Sequence, residues 1–440
     1  MRLLQRAAVL AALLLPALVK DLSPQTGRLV IEDILPYQEE HVHGSSIAQL
    51  PNGDLLAAWF QGYGERWADD VRIMGARKKA GSERWSAPFV LADVDGFPDI
   101  NPVLFVDDRD RLWLFWYAVL ANQWETSLLK YRISDHYLDA AAEPTWDWQD
   151  DLLVKPGGSS ERGIQPNDPF VASVASQLEQ QKVRLGPAAG DAFARWSAET
   201  LAKARGEDML RAGRLFRPDG TYEERELGYP YFQRMGWQTR NKPFVTPSGR
   251  MILPLYSDGF SFSLMAYTDD RGAHWKFSTP LVGAGNIQPA IGRTRSGELV
   301  AYMRDNGPAP KRLHVSRSSD DGATWSTVVD SDLPNPGSAA DIVTLRNGNW
   351  VVIYNDVESG RNSLAVALSE DEGKSWPWKR QIELDPVAQP KTAHYPAIIQ
   401  GRDGMLHASY SYFFPTVTGA ADRKTIRHAT FDEAWIRAGR

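Results

Sequence analysis

Six times along the chain a polar turn leads straight into an apolar run of strand length. The copies are Pro51–Trp59 (PNGDLLAAW), Asp107–Trp116 (DDRDRLWLFW), Pro247–Tyr256 (PSGRMILPLY), Arg295–Arg304 (RSGELVAYMR), Arg346–Tyr354 (RNGNWVVIY) and Arg402–Tyr410 (RDGMLHASY). Five have Gly at the turn, at positions 53, 249, 297, 348 and 404, and Asp110 takes that place in the second. Turn residues followed by β-branched and aromatic runs are hairpin chemistry. A second mark keeps the same beat. Ser318–Trp325 (SSDDGATW) returns at Ser369–Trp376 (SEDEGKSW) and, more loosely, at Thr268–Trp275 (TDDRGAHW), with Trp-to-Trp steps of 50 and 51 residues. In each, Asp can bond backbone amides across a tight turn, Gly can take φ > 0 and Trp can cover the flank. These turns use up their own polar groups, so they read as blade staples and not as a substrate site.

A unit of about fifty residues with one hairpin signature per unit predicts an all-β chain, a six-bladed β-propeller of four-stranded antiparallel blades, over residues 28–440. One interval breaks the rhythm: 139 residues separate Asp110 from Gly249, against 48 to 57 between the other neighbouring turns. Within it, Phe170–Leu185 and Asp191–Arg214 carry apolar residues three and four apart, interrupted by Gly186-Pro187 and ended by Arg217–Gly220. That is helical periodicity. It predicts a mainly helical insertion over 159–236, between blades 2 and 3, that either overhangs a pocket or packs on the blades.

Composition narrows the function. A hydrophobic share of 43% with sixteen Trp supplies a large core, and a net charge of −6 with no basic tract gives no footprint for nucleic acid. The chain has no Cys, hence no disulfide or thiolate metal site, and no H-x-x-H, Walker-type or EF-hand loop calls for a metal or cofactor. Residues 1–20 pair Arg2 and Arg6 with an apolar run, Ala7–Val19, broken by Pro16. They read as a secretory signal peptide, which implies a secreted or periplasmic protein, with an uncleaved anchor or a mis-called start codon as the alternatives.

Three groups of residues carry candidate chemistry. A polar residue precedes Pro at corresponding blade positions, at Asn101, Lys242, Gln288, Asn335 and Tyr395. Pro holds these residues extended near the start of the inner strands, where one per blade could form a pocket floor. His41 and His43 alternate on one face of a strand, and His394 stands beside Tyr395; each is a candidate general acid/base or carboxylate holder. Arg240 with Lys242 adds positive charge in blade 3, Asp305 follows Arg304, and Tyr410, Tyr412 and Trp124 offer faces for a sugar to stack on.

The Asp-turns, the six-fold repeat and the order of polar residues resemble the sialidase (neuraminidase) superfamily over nearly the whole chain from about Val42, apart from the insertion. The resemblance implies a carbohydrate substrate, three arginines on its carboxylate, a Tyr nucleophile paired with a Glu, and an Asp acid/base. Arg304, fourteen residues before the Ser318 turn, matches the second arginine; Arg361 matches the third; Tyr395, 34 residues further on, matches the nucleophile. Asp70 is the nearest match to the acid/base, with Asp69 beside it. Two positions depart from the pattern. Ser46 stands where the first arginine is expected, and Gln288, sixteen residues before Arg304, replaces the Glu. Gln cannot take a proton from a phenol whose ordinary pKa is about 10. Three readings follow: an exo-acting glycoside hydrolase for a terminal acidic sugar, a lyase acting on uronic-acid glycans, and a non-catalytic sugar-binding propeller.

Overall fold

The computed structural model describes residues 27–139, 143–159, 163–165, 167–207, 213–216, 221–225, 230–387, 390–415 and 423–439; the expected signal segment lies outside them. Six antiparallel sheets follow one another around a ring. Their inner strands are His41–Gln49, Asp99–Val106, Trp237–Thr239 (continued by Phe244–Val245), Asn286–Arg293, Asp341–Thr344 and Thr392–Gln400. All six turn-plus-strand copies become the second strands of their blades, for example Leu112–Val119 and Leu299–Asp305. The turn position requires a left-handed backbone: φ lies between 86° and 100° at its five glycines and is 61° at Asp110. Asp tolerates that region better than most residues, which explains the one exception.

The core is divided as a propeller's must be. Six clusters of buried apolar side chains lie one at each interface between neighbouring blades, such as Leu56, Leu104, Leu114 and Trp116 between blades 1 and 2. Both faces of the second strands are covered, so these strands are apolar without alternation. The Asp-turns join the third strands to the outer strands, at the rim. In one, Asp320 accepts from the Thr324 amide at 2.9 Å and its hydroxyl at 2.6 Å, and Trp325 Nε1 donates to Gly322 O at 3.0 Å. They staple blades, as the sequence implies.

The ring closes through a strand from the start of the described chain. Val30–Asp33 pairs with Arg423–Phe431 as the outer strand of blade 6. Glu32 locks that seam: Lys78 Nζ at 2.6 Å and Trp85 Nε1 at 3.1 Å donate to it from blade 1, and His428 Nδ1 at 2.8 Å from blade 6. Burial would raise the Glu32 carboxyl, but His428 and Lys78 pull it down from 4.5 to about 2. A carboxylate depressed in the folded state stabilises above its unfolded pKa, and the gain is lost as pH falls from about 4.5 through about 2. Glu32→Gln is therefore expected to be less stable than wild type at neutral pH. The gap should close as urea denaturation is repeated at falling pH, and a pH-independent gap would contradict this role.

Two helices lie between blades 2 and 3, α1 (Pro169–Leu185) and α2 (Asp191–Ala204). Asp168 caps α1 through the amides of Phe170 and Val171, with Pro169 in the first turn. The buried face of α1 sets Phe170 against the rings of Trp237, Phe260 and Phe262. Its Gln177 and Gln181 donate to Trp325 O and Val282 O, at 3.0 and 2.8 Å. The helix thus packs on the flanks of blades 3 and 4. The insertion also contains a hairpin, Gly213–Phe216 with Tyr222–Arg225. No helix among the described residues is long and apolar enough to cross a membrane.

Candidate active site

The inner strands of four blades bulge at one register. The shift falls between His43 and Ser46, Ile100 and Val103, Ile287 and Ala290, and His394 and Ala397. At each bulge one residue has φ > 0: Gly44 (64°), Asn101 (47°), Gln288 (57°) and Tyr395 (49°). For the three non-glycine residues this costs on the order of 1–3 kcal/mol each, strain that accumulates where side chains must be aimed. In blade 1 only Gly fits, since a Cβ at Gly44 would lie 2.6 Å from Asn101 Oδ1 and 2.7 Å from the Phe60 ring.

These bulges surround a cavity of about 270 Å³ on the propeller axis. His43, Asn101, Gln288, Arg304 and Tyr395, all expected from the sequence, line it, as does Trp124. A wider, open depression of about 600 Å³ beside Trp146 and Trp148 at the edge of blade 2 gathers no comparable set of groups. Among the described residues, no three His, Asp or Glu side chains are placed to hold a metal ion.

Tyr395 is the centre of the site. Arg304 Nη1 donates to its phenol oxygen at 2.8 Å and Gln288 Nε2 at 3.4 Å. Arg304 Nη1 also reaches Gln288 Oε1 at 3.4 Å, which turns the amide so that its N–H groups face the phenols of Tyr395 and Tyr256. Arg361 lies 5.5 Å from the Tyr395 ring centre and Arg240 5.2 Å. Burial works to raise the phenol's pKa, but Arg304, Arg361 and the Gln288 bond outweigh it and hold Tyr395 below the usual phenol range. The missing Glu is thus partly offset: no base touches the phenol, yet positive field and two donors favour its anion. His43 covers the ring face at 4.3 Å. Burial, then His41, His394, Arg361 and Arg240, keep His43 neutral.

Several expected site residues lie elsewhere, each for a physical reason. Arg240, 1% exposed, donates to the carbonyls of Ser45, Tyr395 and Pro396, so it ties blade 3 to blades 1 and 6 beneath the cavity floor. Lys242 is bound to Asp341 at 2.7 Å and to Ile342 O at 2.9 Å. Ser46 accepts the Leu104 amide at 3.0 Å and links blades 1 and 2. Asn335 is consumed by the amides of Asp305, Gly337 and Ser338, and Asp305 by Lys311 and the amides of Gly307 and Arg312. Arg361 stands behind Tyr395, held by Gly337 O at 2.8 Å and His394 Nδ1 at 2.7 Å. His394 donates its other nitrogen to Thr392 and so orients Arg361 instead of facing a ligand. Tyr410 is fully buried against Glu383 at 2.7 Å, and Tyr412 is covered by Arg427 at 3.6 Å; neither ring is open to a sugar.

Asp70 is displaced as well. Exposed outside the cavity, it accepts the Tyr63 amide at 3.1 and 3.3 Å and clasps the loop between the second and third strands of blade 1. That loop sends Glu65 into the cavity instead. His41, outside the lining, braces Glu65: its Nε2 donates to the carboxylate at 3.1 Å while Nδ1 accepts from Lys424 at 2.9 Å.

Sequence reading also misses Tyr117, Tyr256 and Asp258. Tyr117, Tyr256 and Arg304 each stand seven residues after the turn position of their blades (110, 249 and 297), and Asp258 and Asn306 stand nine after. Superposing the six repeats at their turns would have put all five at the cavity end of the second strand. Burial raises Tyr117 and Tyr256 well above their usual range; Asn101 Nδ2 donates to both, at 3.0 and 3.3 Å.

Several solved structures share this architecture. A protein of unknown function from Dyadobacter fermentans superposes with TM-score 0.57 at 13% identity, over 91% of this chain and 97% of that one. The intramolecular trans-sialidase of Ruminococcus gnavus, solved with oseltamivir carboxylate, gives 0.55 at 14%, over 90% and 95%. The leech intramolecular trans-sialidase, solved with 2,7-anhydro-Neu5Ac, gives 0.55 at 14%, over 93% and 71%. What these structures share with this chain is the propeller fold. A model of the BNR repeat-like domain matches residues 53–171 and 180–408, and the chain belongs to that family. No curated protein sequence matches it significantly.

Proposed function

We propose that this protein is an exo-acting glycoside hydrolase that removes a terminal acidic sugar. The observation that carries the reading is the convergence of Arg304 and Gln288 on one phenol oxygen, that of Tyr395, in a cavity on the axis. At about 270 Å³ the cavity falls just under the usual ~300–1,000 Å³ of ligand pockets, room for one sugar unit and not for a chain running through. Arg304 meets the substrate carboxylate as a charge-assisted donor. The Tyr395 oxygen, rich in negative charge, faces the positive charge that develops at the anomeric carbon. Glu65, braced by His41, protonates the leaving oxygen in the role the sequence suggested for Asp70. The apolar segment Ala7–Val19 fits a secreted or periplasmic enzyme meeting its glycan outside the cytosol.

The test is a screen of the purified protein on sialosides, uronides and neutral glycosides. Release of a reducing acidic sugar supports the reading. An unsaturated, ultraviolet-absorbing product would favour the lyase, with neutral His43 and Tyr395 as its proton-exchanging pair. Saturable binding without turnover would leave a sugar-binding propeller.

A further inference from the structure

The superfamily pattern supplies a carboxylate at position 288, and this chain has none there; another carboxyl enters the same cavity from the neighbouring blade. Asp258 follows the second strand of blade 3, Met251–Ser257, and lines the cavity with Tyr256, Gln288, Arg304 and Tyr395. Its turn is built with care. Lys203 of α2 donates to Gly259 O at 3.0 Å. Gly259 has no room for a side chain, since a Cβ would lie 2.5 Å from the Phe232 ring and 3.0 Å from Glu125 Cγ. The insertion therefore acts on the site from behind, by fixing the turn that carries Asp258.

We propose that Asp258 is the general base that activates the attacking water, and that the reaction inverts the anomeric configuration. The assignment rests on the hydrolase reading above. In the step, a water O–H bond breaks and its proton passes to the Asp258 carboxylate as the oxygen bonds to the anomeric carbon. The glycosidic C–O bond breaks with its electron pair on the leaving oxygen, which takes the proton of Glu65; the two carboxyls then re-equilibrate through solvent. Glu65 enters from blade 1 and Asp258 from blade 3, so the cavity receives two carboxyls from different blades, one for each proton transfer.

The charges around Asp258 suit the task. Burial raises its carboxyl from 3.8 to about 6; Arg304, Gln238 and Arg66 pull it down, and Glu125 pushes it up. Tyr256, held neutral by burial, is the phenol that feels its charge. A base of this strength is ionised at neutral pH and still holds a proton well enough to take one.

The experiment compares wild type with Asp258→Asn and Asp258→Glu on whichever acidic glycoside is turned over, with melting curves to show that each variant is folded. Wild-type kcat/KM is expected to fall as pH drops through about 6. Asp258→Asn should lose on the order of 10²–10⁴ in kcat together with that limb, with Asp258→Glu recovering part of the rate. Azide, which needs no base, should restore turnover of Asp258→Asn and give a glycosyl azide, and NMR of the first wild-type product should show the inverted anomer. A retained anomer, an unchanged limb in Asp258→Asn or no effect of azide overturns the assignment while leaving the hydrolase reading in place. No release by wild type from any acidic glycoside overturns both.

Discussion

Tyr395→Phe is expected to lower kcat by about 10²–10³ and to leave the fold intact, the loss typical when one aligned electrostatic group is removed from a transition state. The ring itself is packed by His43 at 4.3 Å, with Arg240 and Arg361 within 5.5 Å of its centre. Phe preserves those contacts. What disappears is the oxygen to which Arg304 and Gln288 donate at 2.8 and 3.4 Å. Arg304 then keeps Gln288 Oε1 at 3.4 Å on Nη1 and Asn306 Oδ1 at 3.1 Å on Nη2, which hold the side chain in place. KM should change less than kcat, because the phenol acts on charge that develops at the anomeric carbon and not on the carboxylate. Steady-state kinetics with a melting curve checks this. Equal kcat for the two proteins would remove Tyr395 from the chemistry.

The largest stability effect is expected at Arg240, which the sequence offers as a substrate-binding residue. Arg240→Met should destabilise the protein by about 3–5 kcal/mol, in the range found when a buried charge-assisted network loses a member. The guanidinium, 1% exposed, reaches Ser45 O at 3.2 Å, Pro396 O at 3.3 Å and the carbonyl of Tyr395. Two of those carbonyls belong to the bulge that aims Tyr395 into the cavity. Methionine fills similar space but donates nothing, so buried acceptors of blades 1 and 6 go unpaired together. Urea denaturation gives the number; a shift under about 1 kcal/mol would mean the carbonyls find other donors.

The fold was legible because its punctuation is backbone chemistry. A left-handed turn position followed by an apolar second strand recurs six times, and Asp110 shows the rule surviving without Gly. The polar-Pro pairs were half legible. Asn101, Gln288 and Tyr395 sit at bulges and face the cavity, whereas Lys242 and Asn335 carry the same pattern into ion pairs and loop bonds. One-dimensional spacing cannot tell whether a cation meets a ligand or a ring of carbonyls, and that is why Arg240 and Lys242 read as binding residues. Asp70 and Glu65 share one loop, and which of them turns inward is decided by the clasp of Asp70 on the Tyr63 amide. Asp258 went unseen because its value lies in its neighbours: the turn that holds it is fixed by Lys203 and Phe232, which the sequence places on the far side of the insertion's hairpin from each other.

Release of free acidic sugar from chromogenic glycosides, compared between wild type and Arg304→Met and between acidic substrates and their uncharged counterparts, tests the central claim most directly. Wild type should turn over the acidic substrate, the uncharged counterpart should react at least ~10-fold more slowly, and Arg304→Met should lose most of that preference along with at least ~10-fold in kcat/KM, one charge-assisted contact being worth about 1.5–3 kcal/mol. Equal turnover of the two substrates by wild type, or an unchanged preference in Arg304→Met, would contradict an Arg304-anchored acidic sugar on the propeller axis.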